Sequence, residues 1–505
     1  EGHSNKFSKT NHVYGSTLYH FMNRSINLCI TNLWFLKILF CLSLTWFSQV
    51  ALAGNYVIVV SAKTSKMQEW AEVVSALREK HSAEIIHYEN SVNECLSTLR
   101  ESFPRYACFV ATPDETKKEF VKSIHALTRR LDDDPYTDLF WGILSGFDAK
   151  NALQIAKTSQ PLIIRNSLAS TEIALEHCER GKWFCELRKG YGMNKEKKGE
   201  SQVIALPQDT TSRFVKELNN GKPDLFITSG HATEQNLQLG FRYRNGSFRC
   251  SEGTLFGADL SGQRHIVKSP NPKVYMPIGN CLMGHLQGPG SMAAAFFKSA
   301  GIRQMMGYVE VTWYGYMGWG CLDYFVEQPG RYTFNEAFFA NHHALIHRLE
   351  TCFPGSNALP SLGLTSNKPS PRAKKLGLGS QDVRGLLFDR DIVAFYGDPA
   401  WQAKMAKGKK NWKQELTQKG NEFRFSITPT AGSGSFSPVN ENGVQRGFRP
   451  FIQFFDKRVK GVHVLSGSEY EPVITDTFIL VPNHSFNKVA EKMVIVFKAD
   501  SAKLP

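Results

Sequence analysis

The stretch Lys222–Asn236, KPDLFITSGHATEQN, carries four apolar or β-branched residues, Leu225 to Thr228, straight into Ser229-Gly230-His231. Further on, Asn271–His285, NPKVYMPIGNCLMGH, repeats the event, with an apolar run ending at Gly279-Asn280-Cys281. Short apolar runs bounded by glycine read as buried strands, and the glycines let the backbone turn off their ends. In open parallel sheets the functional crevice lies at the carboxyl ends of strands. A His and a Cys at two such ends are therefore a candidate catalytic pair. A thiolate attacks a carbonyl carbon, and a nearby imidazole protonates the leaving amine. A helical segment, Ser291–Ala300, follows the cysteine, and the Cys281 N–H could face a developing oxyanion. The bland alternatives are a hydrogen-bonded strand-terminal His and an inert core Cys. The catalytic reading requires the two strands to be neighbours.

Outward from this pair the chain alternates strands and helices. Strands are expected at Tyr56–Val60, Ala83–His87, Tyr106–Val110, Leu139–Ile143, Val203–Leu206, Leu225–Thr228 and Gln304–Val311. Helical periodicity occupies Met67–Lys80, Thr116–Leu131, Ala149–Lys157, Thr171 into the Cys178 region, Thr210–Asn219, Leu322–Glu327 and Phe334–Leu349. The alternation predicts an α/β fold with a mainly parallel sheet covered on both faces. Residues 354–380, rich in Pro, Ser, Gly and Lys, read as an exposed loop. Residues 386–388 and 392–396 then return toward the core. The Lys-rich run 404–420 reads as a basic linker. Beyond it, Phe423–Ile427 alternates with period two, and short β-rich runs separated by turns predict a small all-β sandwich over 421–505. The expected organisation is thus 1–53 upstream, 54–403 an α/β domain (54–200 and 201–403), the linker, and the sandwich.

The N-terminal segment from Met22 has a positive start, an apolar run Ile38–Phe47 and Ala51-Leu52-Ala53 before Gly54. This pattern predicts a cleaved secretory signal rather than a membrane anchor. The expected location is secreted, cell-envelope or periplasmic, with no stable membrane span after cleavage. Residues 1–53 carry four Lys/Arg and one Glu, so without them the formal charge falls from +14 to +11. A basic surface follows, but no nucleic-acid motif accompanies it. Eight cysteines remain, and Cys178 with Cys185 is a candidate short-loop disulfide. No zinc spacing occurs.

GHAT after DLFITS, and NC after VYMPIG, resemble the His-Gly and Ala/Asn-Cys elements of caspase-like cysteine peptidases, and more narrowly the gingipain family. YACFVATPDE, DLFWGILSGFDAKNALQIAK and IVAFYGDPAW are similar to further elements of that family, in the same order. The resemblance covers roughly Gly54 to Pro505 and implies an immunoglobulin-like character for the sandwich. It implies Cys281 as nucleophile, His231 as general acid/base, the N–H groups of Cys281 and Ala232 as oxyanion hole, and Trp313 lining the substrate pocket. It departs from the family at Ala232, where Gly is usual, at Ile143, where Arg is usual, and at Leu282-Met283-Gly284-His285. Glu234 and Glu310 lie close to the motifs and could accept a basic substrate side chain; solvated or structural carboxylates are the plainer reading. No cofactor is expected, apart from a structural calcium that the resemblance allows and whose ligands the sequence does not identify. Asp132-Asp133-Asp134 reads as a solvated helix end. The expected activity is a secreted cysteine endopeptidase acting on protein or peptide substrates through a thioester. Its competitors are a transpeptidase with the same dyad and an inactive peptidase-like surface or binding protein.

Overall fold

The strands that carry His231 and Cys281 sit side by side in a twelve-stranded sheet. The computed structural model describes residues 55–197, 199–288, 290–360, 368–440, 446–483 and 490–502; the expected signal segment lies outside them. In chain order the sheet strands are β1 (Tyr56–Ser61), β2 (Glu84–Tyr88), β3 (Tyr106–Val110), β4 (Phe140–Leu144), β5 (Asn166–Ala169), β6 (Arg180–Phe184), β7 (Tyr191–Lys195), β8 (Ser201–Ala205), β9 (Leu225–Thr228), β10 (Lys273–Pro277), β11 (Ile302–Tyr308) and β12 (Val393–Tyr396). Their spatial order is β2-β1-β3-β4-β12-β11-β10-β9-β5-β6-β7-β8. All neighbours are parallel except β12/β11 and the edge pairs β6/β7 and β7/β8. The sheet is therefore two parallel halves running in opposite directions, joined at β11/β12. β12, from the far end of the α/β region, completes the half that begins with β1, so each half is not one continuous segment.

Burial explains the strand composition. β1, β4, β9, β10 and β12 are buried along their whole length, as strands covered on both faces must be. The covering helices are α1 (Gln68–His81), α2 (Lys118–Thr128), α3 (Ala149–Ala156), α4 (Thr211–Asn220), α5 (Met292–Ser299), α6 (Tyr316–Phe325), α7 (Phe334–Cys352) and α8 (Ser380–Asp391). Caps set several starts: Asp148 accepts from Asn151 N, Ser291 from Ala294 N, and Thr333 with Glu336 closes a capping box.

Several expectations fail for physical reasons. The expected helix from Thr171 is only a 3₁₀ turn, Leu175–His177, because the chain must enter β6 at once. Cys178 and Cys185 are both free thiols. The extended β6 lies between them, and at about 3.3 Å per residue it holds them far beyond disulfide reach. The segment expected as helical from Leu322 to Glu327 is the last turn of the longer α6, which ends at Phe325, and Leu386-Leu387-Phe388 returns to the core as part of α8. Part of the 354–380 loop is ordered as the helix Pro371–Lys375, with Ala373 buried; residues 361–367 lie outside the described set.

The basic linker is not a linker. Ala403–Met405 pairs in parallel with Leu162–Ile164, and Trp412–Lys419 is a strand of the C-terminal sandwich. In that strand exposed Lys413, Glu415 and Thr417 alternate with half-buried Trp412, Gln414 and Leu416, so this part of the charge run is one face of a strand. A four-stranded and a three-stranded antiparallel sheet make up this sandwich. In the three-stranded sheet the period-two alternation splits the residues between two cores. Phe451, Ile479 and Val481 pack with Phe425, Ile427 and Phe497 inside the sandwich. Ile452, Phe454, Phe478 and Leu480 point the other way, into the core of the α/β region.

Candidate active site

Three neighbouring strands, β9, β10 and β11, deliver their carboxyl ends to one edge of the sheet. β9 and β10 pair in register, Thr228 opposite Pro277, so the His231 and Cys281 turns leave from adjacent strand ends. Asn280 ties the turns together. Its Nδ2 donates to the Gly230 carbonyl at 2.7 Å, and its Oδ1 accepts from Thr228 Oγ1 at 2.6 Å. Asn280 is fully buried, so both bonds are made away from water and hold the geometry tightly. Gly230 has φ +121°, a conformation that L side chains rarely adopt, and it swings the chain outward at the histidine. A short hairpin follows, closed by Gln238 N donating to the His231 carbonyl at 2.9 Å.

Cys281 is half-buried, and its thiol points at the Thr312 carbonyl at 3.6 Å, in the loop after β11. The Cys281 N–H finds no protein acceptor among the described residues. The next residue, Leu282, holds φ +58° without being glycine, a strained conformation of the kind that clusters at functional turns. Leu282 N donates to the Glu310 carbonyl and Gly284 N to the Tyr308 carbonyl, which staples the turn to β11. A Cβ on Gly284 would sit 2.2 Å from the Gly307 oxygen, so only glycine permits this approach. The helix expected over Ser291–Ala300 runs from Met292 to Ser299 with Ser291 as its cap, and an irregular turn separates it from the thiol.

His231 is exposed, and its ring stacks on Phe241 at 4.7 Å between centroids. Among the described residues nothing hydrogen-bonds to the imidazole, so no carboxylate orients it as a third catalytic member. Phe241 does the holding. It is 45% exposed for an aromatic residue, and its N–H donates to the Glu186 carbonyl at 2.8 Å.

Glu186 itself was not legible in its local sequence, CELRKG. Its side chain is 5% exposed, and Oε2 has no hydrogen-bond partner. Burial pushes the carboxyl up to about 7, with the hydroxyls of Thr171 and Ser229 opposing the shift. Ser229 immediately precedes Gly230-His231, and a Cβ on Gly279 would lie 2.6 Å from the Ser229 hydroxyl. The carboxylate thus sits behind both turns, where only folding brings it.

The other expected site residues scatter. Trp313, 47% exposed, adjoins Thr312 and rests its ring against Tyr314 and Phe388. Ala232 starts the hairpin after His231. Glu310 is occupied by Lys118 at 3.0 Å and Lys122 at 3.4 Å. Burial works against its charge, but the two lysines hold it below the usual carboxylate range. The side chain of Glu234 is exposed, while its carbonyl accepts from Met292 N at 2.7 Å. His285 bonds Gln287 at 2.8 Å through Nε2. Ile143 is fully buried in β4 and lines no cleft. Away from the cleft, Asp132 and Asp134 are not a solvated helix end. Their carboxylates gather with those of Asp138 and Asp476, with ligand atoms within 4.8 Å of one another. Arg458 pairs with Asp476 there and supplies positive charge.

No protein-family model matches this chain, and neither does any curated protein sequence. Two solved structures from Porphyromonas gingivalis are similar to it. One is the Arg-specific cysteine proteinase gingipain R (RgpB), 11% identical with a TM-score of 0.43, over 89% of this chain and 98% of that one. The other is the complex of RgpB pro- and mature domains, with the same identity and TM-score, over 89% of this chain and 100% of that one.

Proposed function

We propose that this chain is a cysteine endopeptidase in which Cys281 and His231 hydrolyse peptide bonds, with a preference for a basic residue before the scissile bond (P1). The observation that carries the reading is the buried Asn280, which fixes the Cys281 turn to the His231 turn at adjacent strand ends. Two turns locked this way keep a thiol and an imidazole in constant relation, as nucleophile and acid require. The half-buried thiol, the free Cys281 N–H and the strained Leu282 support the same reading.

The steps use few groups. The Cys281 thiolate attacks the scissile carbonyl carbon, and the oxygen that gains charge is met by the N–H groups of Cys281 and Ala232. The C–N bond breaks as the His231 imidazolium gives its proton to the departing amine. A water molecule, losing a proton to His231, then attacks the thioester, and the carboxylic acid leaves as the thiolate reforms. Glu186 supplies the P1 preference: a desolvated carboxylate behind the two turns, with Oε2 free of a protein partner, gains most from a cationic side chain. Trp313, exposed beside Thr312, forms an apolar wall for the stem of that side chain. The N-terminal segment directs export, so the substrates are extracytoplasmic proteins or peptides.

The test is covalent labelling of residues 54–505 with peptidyl acyloxymethyl ketones carrying Arg, Lys, Leu or Asp at P1. Cys281→Ala, His231→Ala and Glu186→Gln are run beside the parent, with mass spectrometry locating the adduct. Labelling at Cys281 that needs His231 and is fastest with Arg or Lys supports the proposal. Absence of labelling, or labelling indifferent to His231→Ala, overturns the dyad. Equal rates for Arg and Leu in parent and Glu186→Gln overturn the role of Glu186.

A further inference from the structure

The C-terminal sandwich reaches back into the α/β region through the segment from Arg446 to Pro450. Arg446 pairs with Asp323 of α6 and with Glu327 just beyond its end, and Arg449 donates to Asp323 at 3.0 Å. Both guanidinium groups also lie over aromatic rings of the same helix, Arg449 at 3.9 Å from the Tyr316 centroid and Arg446 at 5.3 Å from Trp319. The Gly447 N–H adds a third donor to Asp323 at 3.0 Å. All four charged side chains are nearly inaccessible, at 3% to 7% exposure. A charge pair buried this deeply contributes little net stability against an apolar alternative, but it specifies one arrangement.

What α6 touches on its other side gives that arrangement a purpose. A Cβ on Gly318 would lie 1.9 Å from the Ile278 carbonyl oxygen, so the helix backbone rests directly on the chain three residues before Cys281. Trp319, beneath Arg446, comes within 3.7 Å of the Cβ position of Gly279. On the opposite face a Cβ on Gly320 would meet Arg449 Cζ at 2.6 Å. The helix is a thin spacer: arginines of the sandwich press on one side, and the turn that carries Cys281 leans on the other.

We infer that Arg446 and Arg449 are positioning residues, through which the sandwich holds α6 against the Ile278–Asn280 turn and so sets the placement and reactivity of the Cys281 thiol. The sandwich is then part of the active-site scaffold and not an appended module. Because α6 contacts Ile278 and Gly279 rather than the thiol, the effect is on geometry, and small rotations of the turn move the sulfur relative to the His231 turn. The thiol-placement inference stands apart from the peptidase reading; only its activity arm rests on that reading.

The test measures iodoacetamide alkylation of Cys281 against pH in residues 54–505, with the adduct quantified by mass spectrometry and folding followed by circular dichroism. Variants are Arg446→Gln, Arg449→Gln, the milder Arg446→Lys and Arg449→Lys, and Phe425→Leu. The last weakens the sandwich's own core without touching α6. At temperatures where each protein is folded, the Gln variants are expected to change the Cys281 alkylation rate at least threefold and to move its pH midpoint. The Lys variants should fall between them and the parent, because Lys keeps the charge but loses the planar fork. Should a Gln variant fail to fold, its Lys counterpart decides. Phe425→Leu should lower the melting temperature and leave the alkylation profile unchanged. An unchanged profile in folded Arg variants, or the same change in Phe425→Leu, overturns the inference. If the parent hydrolyses peptides, kcat should fall in the Arg variants with KM nearly constant. If the parent hydrolyses none while the profile still moves, the peptidase reading fails and the positioning role stands.

Discussion

Glu186 sits where a carboxylate is costly. Its folded pKa of about 7 lies above the ordinary value, so protonation is favoured by folding. The stability this provides is complete below the unfolded pKa and is lost as pH rises through about 7. At pH 8 the folded chain carries the full penalty of an ionised, buried group, roughly 3 kcal/mol. Glu186→Gln should therefore raise the urea midpoint at pH 8 and leave it nearly unchanged at pH 4.5. The same substitution should cut kcat/KM for an Arg-P1 substrate by about 10- to 100-fold, the worth of one charged hydrogen bond. Preference for Arg over Leu should also climb between pH 6 and 8 in the parent and stay flat in the variant. A residue that destabilises the protein while sharpening selectivity is expected of a binding site. Cys281 and His231 stand out in the sequence as a candidate pair because each ends an apolar run beside a glycine. Glu186 does not, because its only signal is the burial that folding imposes.

Helix α6 makes its argument through what it lacks. Gly318 abuts the Ile278 carbonyl and Gly320 abuts Asn341 and Arg449, so any side chain at either place must push the helix away. Gly318→Ala should cost at least about 2 kcal/mol of stability and abolish His231-dependent labelling of Cys281. Gly434→Ala, at a position with nothing within 4 Å, should do neither. Thermal melts and inhibitor labelling of the two variants check this directly. Other elements were readable from periodicity: α2, α3, α4, α5 and α7 fall within a few residues of their expected places. The five-stranded antiparallel sheet between Ala232 and Ile266 was not, because its strands are two to five residues long and mix exposed charges with core positions. Periodicity needs length to register.

Over the whole molecule, buried histidines resist acid. Burial lowers His125 to about 4 and His343 to about 3, and His343 stacks on Phe478 of the sandwich at 4.4 Å. The unfolded chain takes up these protons first, so the stability is fully present above about pH 6.5 and is lost as pH falls toward the folded values. Over that window His125 accounts for roughly 3 kcal/mol and His343 for roughly 5 kcal/mol. Asp398 works in the same direction but at lower pH. Burial opposes its charge, but His81 and Lys80 hold it well below the usual range, so its contribution disappears only below about pH 4. Buried carboxyls such as Glu186 act against this loss, so the check is a difference: His343→Phe should make the urea midpoint less sensitive to acid than the parent's between pH 7 and 4.5. Because Ile452, Phe454, Phe478 and Leu480 complete the α/β core, a chain ending at Met405 should be insoluble or molten, as size-exclusion chromatography and near-ultraviolet circular dichroism would show.

Strand identity, the parallel character of the sheet and the two strand ends that carry His231 and Cys281 follow from local hydrophobic runs and glycines, properties each segment carries without its neighbours. Local pattern could not say that β9 and β10 pair, that Asn280 locks their turns, or that Glu186 lies behind them, since those contacts join residues about 50 to 95 positions apart. Nor could it tell a basic linker from an edge strand, because an alternating face and a charge run read alike until one side is covered. The integration of the sandwich was equally hidden. Period two predicts that a strand has two faces, and only the packed fold decides that both are buried, one in each core.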